Sequence, residues 1–265
     1  LFCVVTMTGA FSPALAETPK DPMEYEGTVI IGGQSFNESA ILTWIAKLLI
    51  DEYTGLHAEA NAGFSVSPFH AMKGKEIQVY PNWTGTQLTG ILNYEGEQLR
   101  KLNTPEKSYQ AVKSAFEENF HITWARPLGF NNTYAMAVRR EDAEKYGLKK
   151  ASDLAKVASE WLLAGDENFD IRPDAYPGWS EHYGIEFKEV LPMQYAIMYK
   201  AIESEEVQVI AAYSTDSRIK KLDLVILEDD KHFFPDYSAC YVVDMHTLEE
   251  YPALLEILEK VSGTI

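Results

Sequence analysis

Thr28-Val-Ile-Ile-Gly-Gly-Gln-Ser-Phe-Asn-Glu-Ser-Ala-Ile-Leu-Thr-Trp-Ile-Ala-Lys-Leu-Leu-Ile-Asp-Glu-Tyr53 is the stretch that decides the class of fold. Residues 28–31 are a β-branched run, stiff at χ1 and suited to a strand. The run ends in Gly32-Gly33. Asn37 then reads as the cap of an amphipathic helix from Glu38 to about Tyr53, with Ile41, Leu42, Ile45, Leu48 and Leu49 on one face. The same alternation continues outward. Strands are predicted over 57–60 and 77–80 with a short helix over 68–73 between them. A helix over 105–120 leads to strands over 123–126 and 134–138. A helix over 152–158 precedes a strand over 161–164. A helix over 193–202 feeds a strand over 207–211, strands follow over 224–227 and 239–243, and a helix over 248–261 closes the chain. This order predicts an α/β fold with largely parallel sheets. No internal repeat or low-complexity linker interrupts it.

The 265 residues suffice for one large domain or two of ordinary size. With 46% hydrophobic and 24% charged residues, a sizeable core needs no disulfides. The net charge of −17 is spread along the chain and argues against nucleic acid or anionic membrane surfaces as partners. Residues 1–16 read as a cleavable signal peptide: 1–9 are mostly apolar and uncharged, and Ala14-Leu-Ala16 has the small-x-small form of a cleavage site. That run is too short for a membrane span, which needs ~20 apolar residues. Cys3 leaves with it, Phe2 being too bulky for lipoprotein processing. Cys240 then stands alone in the alternating run 238–243 and reads as a small buried hydrophobe. An exported chain without disulfides points to a bacterial or archaeal envelope.

Catalytic constellations are missing from the sequence. It has neither a Gly-x-Ser-x-Gly elbow nor a Walker-type phosphate loop. Gly32-Gly33 ahead of a helix fits an anion site or a plain strand-to-helix turn equally well. The six His, at 57, 70, 121, 182, 232 and 246, lack ligand spacing such as HxH or HExxH and read as surface or helix-end residues. Glu228-Asp-Asp230 reads as a solvated turn. The expectation is a non-enzyme with no cofactor and no metal.

Four aromatic residues carry more information. Trp83, Tyr134, Tyr213 and Tyr237 each sit beside Asn, Thr, Ser, Asp, Gly or Pro, at the end of a predicted strand or in a turn. Ligands of open α/β sheets bind beyond the carboxyl ends of strands. Electron-rich ring faces converging there suit a soft cation such as a quaternary ammonium. Four unrelated core and surface rings are the alternative.

Five motifs occur in order: Gly33-Gln-Ser-Phe-Asn-Glu38, Tyr80-Pro-Asn-Trp-Thr-Gly-Thr86, Asn132-Thr-Tyr-Ala-Met-Ala-Val138, Ala212-Tyr-Ser-Thr-Asp-Ser-Arg218 and Leu227-Glu-Asp-Asp-Lys-His-Phe-Phe-Pro-Asp-Tyr237. Together they resemble the substrate-binding proteins of ABC importers for glycine betaine, choline and related osmoprotectants, from about Thr28 to the end. The resemblance implies a two-lobed, type II periplasmic-binding-protein fold with two chain crossings. The first lobe would be 27–128 plus 214–265 and the second 129–213, in a record truncated at both ends. It places an aromatic cage on Trp83, Tyr134, Tyr213 and Tyr237, where Trp83 departs from the usual Tyr. Thr86 matches a polar ligand contact. Arg172, in Ile171-Arg-Pro-Asp174, matches a base that pairs with a betaine carboxylate, or else makes an ion pair with Asp170 or Asp174. Gln34 stands where some betaine binders carry Lys, and Asn132 where some carry an acid, so the ligand tail stays open between choline and a carboxylate. The expected partners are a small quaternary ammonium ligand and an ABC permease, the membrane being reached only through the permease. The expected location is periplasmic or secreted. The same fold binding another compatible solute or an amino acid is the alternative.

Overall fold

The computed structural model describes residues 20–63, 67–102, 104–166, 169–172 and 174–265. The expected signal peptide, residues 1–16, lies outside them. Among the described residues, ten strands form two sheets: β1 Thr28–Gly32, β2 His57–Asn61, β3 Val79–Trp83, β4 Ile122–Trp124, β5 Tyr134–Arg139, β6 Leu162–Gly165, β7 Glu189–Pro192, β8 Val209–Tyr213, β9 Leu224–Ile226 and β10 Ala239–Asp244. One sheet has the order β2-β1-β3-β10-β4 and the other β7-β6-β8-β5-β9. In each, one strand runs against its neighbours: β10 is antiparallel to β3 and β4, and β5 to β8 and β9. The chain crosses between sheets twice, after β4 and after β9. This is the two-lobed α/β architecture that the resemblance implies. The two sheets share one strand order, a symmetry that no sequence repeat announces.

The strand Leu224–Ile226 corrects one expected boundary. It pairs with β5 in the second sheet, whereas residues from 214 onward had all been given to the first lobe. The turn after Tyr213 only starts the helix Ser217–Lys221, which packs on β9, and the return crossing comes later, over 227–238.

The opening helix spans Asn37–Tyr53, but Asn37 is its first helical residue rather than its cap. The Ser39 hydroxyl reaches back instead and accepts the Gln34 N–H at 2.8 Å. The buried face is also narrower than the apolar pattern suggests. Ser39, Leu42, Thr43, Ala46 and Ile50 face the sheet, while Ile41 and Leu48 are exposed. Small residues win the inward face because the helix lies very close to the strand-end glycine: a Cβ on Gly33 would meet Thr43 Oγ1 at 2.1 Å. The predicted closing helix is divided, into Met245–Glu250 and Leu254–Leu258, with Pro252 between them. Cys240 is fully buried in β10, as expected, and burial pushes its thiol up.

Both faces of the first sheet are packed. One face joins Val29, Ile31, Val79 and Tyr241 to the helix Asn37–Tyr53. The other joins Tyr80, Trp124 and Val242 to the helix Pro105–Phe120. The second sheet is likewise buried between two clusters. Such two-faced burial is why its strands read as near-continuous apolar runs. Among the described residues, no helix is long and apolar enough to cross a membrane.

Candidate functional site

The site forms where the two crossing segments meet. Asn131 and Ser238 form a β-bridge. Asn132 N–H donates to the Tyr237 carbonyl at 3.2 Å, and Tyr237 N–H donates to Asn131 Oδ1 at 2.9 Å. This short antiparallel pairing fixes Tyr237 beside the carboxyl end of β3.

Trp83 is the last residue of β3 and pairs with Ala239. The predicted strand over 77–80 ended three residues short of it. Tyr134 and Tyr213 are direct cross-strand partners on β5 and β8. Opposed residues of adjacent strands point to the same face, and the two ring centroids lie 5.1 Å apart. Phe36 links the halves, 5.1 Å from Trp83 and 6.3 Å from Tyr213. Phe234 closes on Tyr134 at 6.0 Å. Tyr237 fits only because residue 85 is glycine: a Cβ there would lie 2.7 Å from its ring. Trp83, Tyr134 and Tyr237 are buried and Tyr213 is partly so.

Three carboxylates organise these rings. Asp166, 8% exposed, accepts the Tyr213 hydroxyl at 2.7 Å and the Tyr134 hydroxyl at 3.3 Å on the same oxygen. Burial, reinforced by the Asp166 charge, pushes both phenols well above their usual range. Glu38 accepts the Trp83 indole N–H at 3.0 Å, Asn132 Nδ2 at 2.8 Å and the Thr215 hydroxyl at 2.6 Å. Glu38 thereby ties the first sheet's side to the segment that follows β8. Asp174 accepts the Tyr237 hydroxyl at 2.8 Å and the Thr89 hydroxyl at 3.0 Å. It also holds Arg172 in a two-pronged pair, with Nε to Oδ1 at 2.8 Å. Burial works against both charges. The pairing outweighs it, holding Asp174 below the ordinary carboxylate range and raising Arg172.

Of the residues expected at the site, the structure brings together Trp83, Tyr134, Tyr213, Tyr237 and Asn132, and it joins Arg172 to Tyr237 through Asp174. Asn132 Oδ1 is buried without a hydrogen-bond partner. Gln34 lies in the turn before the helix Asn37–Tyr53, and Thr86 in the helix Thr84–Gly90. The Arg172 guanidinium faces Asp174 rather than open solvent. A cavity of about 1270 Å³ lies against this pair, between Thr89 and Tyr94 on one side and Arg172, Asp174 and Phe233 on the other. The four rings do not line that cavity; Asp174, bonded to Tyr237, and Phe234, packed on Tyr134, join it to them. Phe36, Glu38, Asp166, Asp174 and Phe234 escaped the sequence reading as site residues. Phe36, Glu38 and Phe234 carried a signal as members of the quoted motifs, and Asp174 as the alternative ion-pair partner of Arg172; Asp166 carried none.

Comparison with known proteins places the chain. Residues 27–265 match the family described as the substrate binding domain of the ABC-type glycine betaine transport system. The chain is 37% identical over 270 residues to the carnitine transport binding protein OpuCC of Listeria monocytogenes, covering 100% of this chain and 86% of that protein. It is 31% identical to a glycine-betaine-binding protein of Pseudomonas aeruginosa, covering 96% and 80% of the two chains. A solved glycine betaine/carnitine/choline ABC transporter structure superposes with a TM-score of 0.74 at 34% identity, over 89% of this chain and 87% of the other. With the family matched along nearly the whole described chain and the two-sheet fold in common, this chain belongs to the substrate-binding domains of ABC-type glycine betaine transport systems, which bind solutes and are not enzymes.

Proposed function

We propose that the chain captures a quaternary ammonium compound of the glycine betaine, choline and carnitine class outside the cytoplasm and delivers it to the permease of an ABC importer. The observation that carries this reading is the cross-strand pair Tyr134–Tyr213, backed by the buried carboxylate of Asp166 and linked to Trp83 through Phe36. The cationic head sits among Trp83, Tyr134, Tyr213 and Tyr237, each ring contributing up to ~2 kcal/mol when desolvated. Gln34, Thr86 and Asn132 orient the tail, and the unpartnered Asn132 Oδ1 suits a ligand hydroxyl. Arg172 receives a tail carboxylate only by sharing or leaving Asp174. The first lobe comprises about 27–128 plus the segment from β10 onward, the second about 129–226. Trp83 belongs to the first, Tyr134 and Tyr213 to the second and Tyr237 to the crossing segment between them, so ligand favours closure by its higher affinity for the closed state. The named relatives bind carnitine and glycine betaine, which supports the ligand class.

The test is a calorimetric titration with choline, glycine betaine, carnitine and a neutral amino acid in parallel. Saturable binding of quaternary amines, with the amino acid silent, is expected. A folded sample that ignores every quaternary amine sinks the proposal. Binding of the amino acid alone would move the site to the cavity beside Arg172 and Asp174.

A further inference from the structure

His121 and His246, 125 positions apart in sequence, lie side by side on the first lobe with ring centroids 4.3 Å apart. Strand pairing puts them there. β4 begins immediately after His121, and its first residue, Ile122, pairs with Asp244 at the end of β10. Met245 N–H then donates to the His121 carbonyl at 3.1 Å. His246 and Glu249 are three apart on the helix Met245–Glu250 and share a face. The Glu249 carboxylate meets both rings: Oε1 is 3.0 Å from His121 Nε2, and Oε2 is 3.2 Å from His246 Nδ1. His121 ends the helix Pro105–Phe120 in the left-handed conformation, φ 58°. That position favours glycine, so a histidine there trades backbone ease for a side chain.

We infer that His121, His246 and Glu249 form a binding site for a borderline divalent transition-metal ion, Zn²⁺ foremost. One donor atom from each lies within 4.8 Å of the other two. A tetrahedral Zn²⁺ with bonds of about 2.0–2.2 Å sets its ligand atoms roughly 3.3–3.5 Å apart. The two nitrogen-to-carboxylate distances, 3.0 and 3.2 Å, run to different oxygens of Glu249, and modest rotation of its carboxylate and of the rings brings one donor from each residue to that spacing. Two imidazoles and one carboxylate select Zn²⁺ over Mg²⁺ or Ca²⁺, which prefer all-oxygen shells. The fourth position stays open to water. The bound ion clamps the end of the helix Pro105–Phe120 to the exit of β10. It lies far from the cage: β10 starts opposite Trp83 at Ala239, and His246 is seven residues further on, roughly 20 Å at strand rise.

The experiment titrates the full chain, prepared without a polyhistidine tag, with Zn²⁺ alone and with Mg²⁺ alone. One Zn²⁺ per chain is expected, with a rise in melting temperature that saturates at one equivalent, no response to Mg²⁺, and d–d absorption bands when Co²⁺ is substituted. His246→Ala and Glu249→Gln should each weaken Zn²⁺ binding roughly tenfold or more, because one of three protein donors is lost. His121→Asn, which keeps the left-handed preference, should do the same. His57→Ala, at a separate exposed His57–Glu59 pair, should leave it unchanged. Quaternary-amine affinity should be the same with and without Zn²⁺. Absence of one-equivalent binding, or an affinity unmoved by all three site variants, overturns the inference.

Discussion

Asp166→Asn is the sharpest test of how the proposed cage attracts a cation. The carboxylate lies 2.7 Å from the Tyr213 hydroxyl oxygen and is 8% exposed. A cation within ~6 Å of that ring's centroid is then about 7 Å from the carboxylate. At an effective dielectric of about 20, two unit charges at that distance attract by about 2 kcal/mol, or roughly thirtyfold in Kd. Asparagine has the same shape and keeps an acceptor for the Phe169 N–H, which Asp166 Oδ1 now accepts at 3.0 Å. Its Nδ2 then faces the Tyr213 and Tyr134 hydroxyls, which turn from donors to acceptors, so the ring positions should survive while the charge is removed. Calorimetry should show choline weakened about thirtyfold. Glycine betaine should lose less, because its own carboxylate already cancels part of the attraction. A loss under about threefold in a variant with wild-type melting behaviour refutes the electrostatic role. Equal losses for choline and betaine refute the charge argument while leaving the rings in place.

Three further outcomes follow from the same geometry. Tyr213→Ala should cost about 2 kcal/mol of binding, roughly thirtyfold, without unfolding the chain, since this ring is only partly buried; normal binding by the variant would remove Tyr213 from the cage. Asp174→Asn should loosen the junction of the lobes, seen as faster ligand release in stopped-flow and a larger radius in small-angle scattering. The lowered Asp174 carboxyl stabilises the fold fully above the ordinary carboxylate range, and this is lost as pH falls through the lowered value, so Asp174→Asn should flatten the wild type's stability loss on acid titration. Phe116→Ala, at a fully buried core position, should cost about 3–5 kcal/mol of stability in denaturant unfolding and leave affinity in the surviving folded protein unchanged.

Strands such as β3, β5, β8 and β10 were legible because they are buried on two faces and read as β-branched or apolar runs, whereas β7, part-exposed at the edge of its sheet, was not predicted. The four rings stood out as candidates because they break that rule, sitting beside polar residues at strand ends and in turns. What stayed hidden depends on distant partners. Nothing local marks Asp166 as the acceptor of two tyrosine hydroxyls, or Glu38 as a tie to Thr215. The Arg172–Asp174 pair was foreseen as an alternative, but not its reach to Tyr237 and Thr89. Leu224–Ile226 was placed correctly as a strand yet assigned to the wrong sheet, since three residues hold no record of which neighbour they pair with. The buried face of the helix Asn37–Tyr53 was misjudged for a steric reason: close approach to Gly33 favours small residues inward, which a count of apolar positions cannot register.

The cross-strand pairing of Tyr134 with Tyr213 also has a kinetic consequence. Two walls of the proposed cage belong to one sheet and keep their spacing whether or not the lobes meet. A quaternary amine can settle on this half-site in a single diffusive encounter, before any domain motion. Its arrival rate should then be set by that half-site and the nearby Asp166 charge, and fall as salt is raised. Its residence time should be set by Trp83, Tyr237 and the Asp174 contacts that must part before it leaves. Substitutions in the second lobe's pair should therefore slow capture, and those on the first lobe's side should shorten residence, a division that rapid-mixing kinetics can separate where equilibrium affinities cannot.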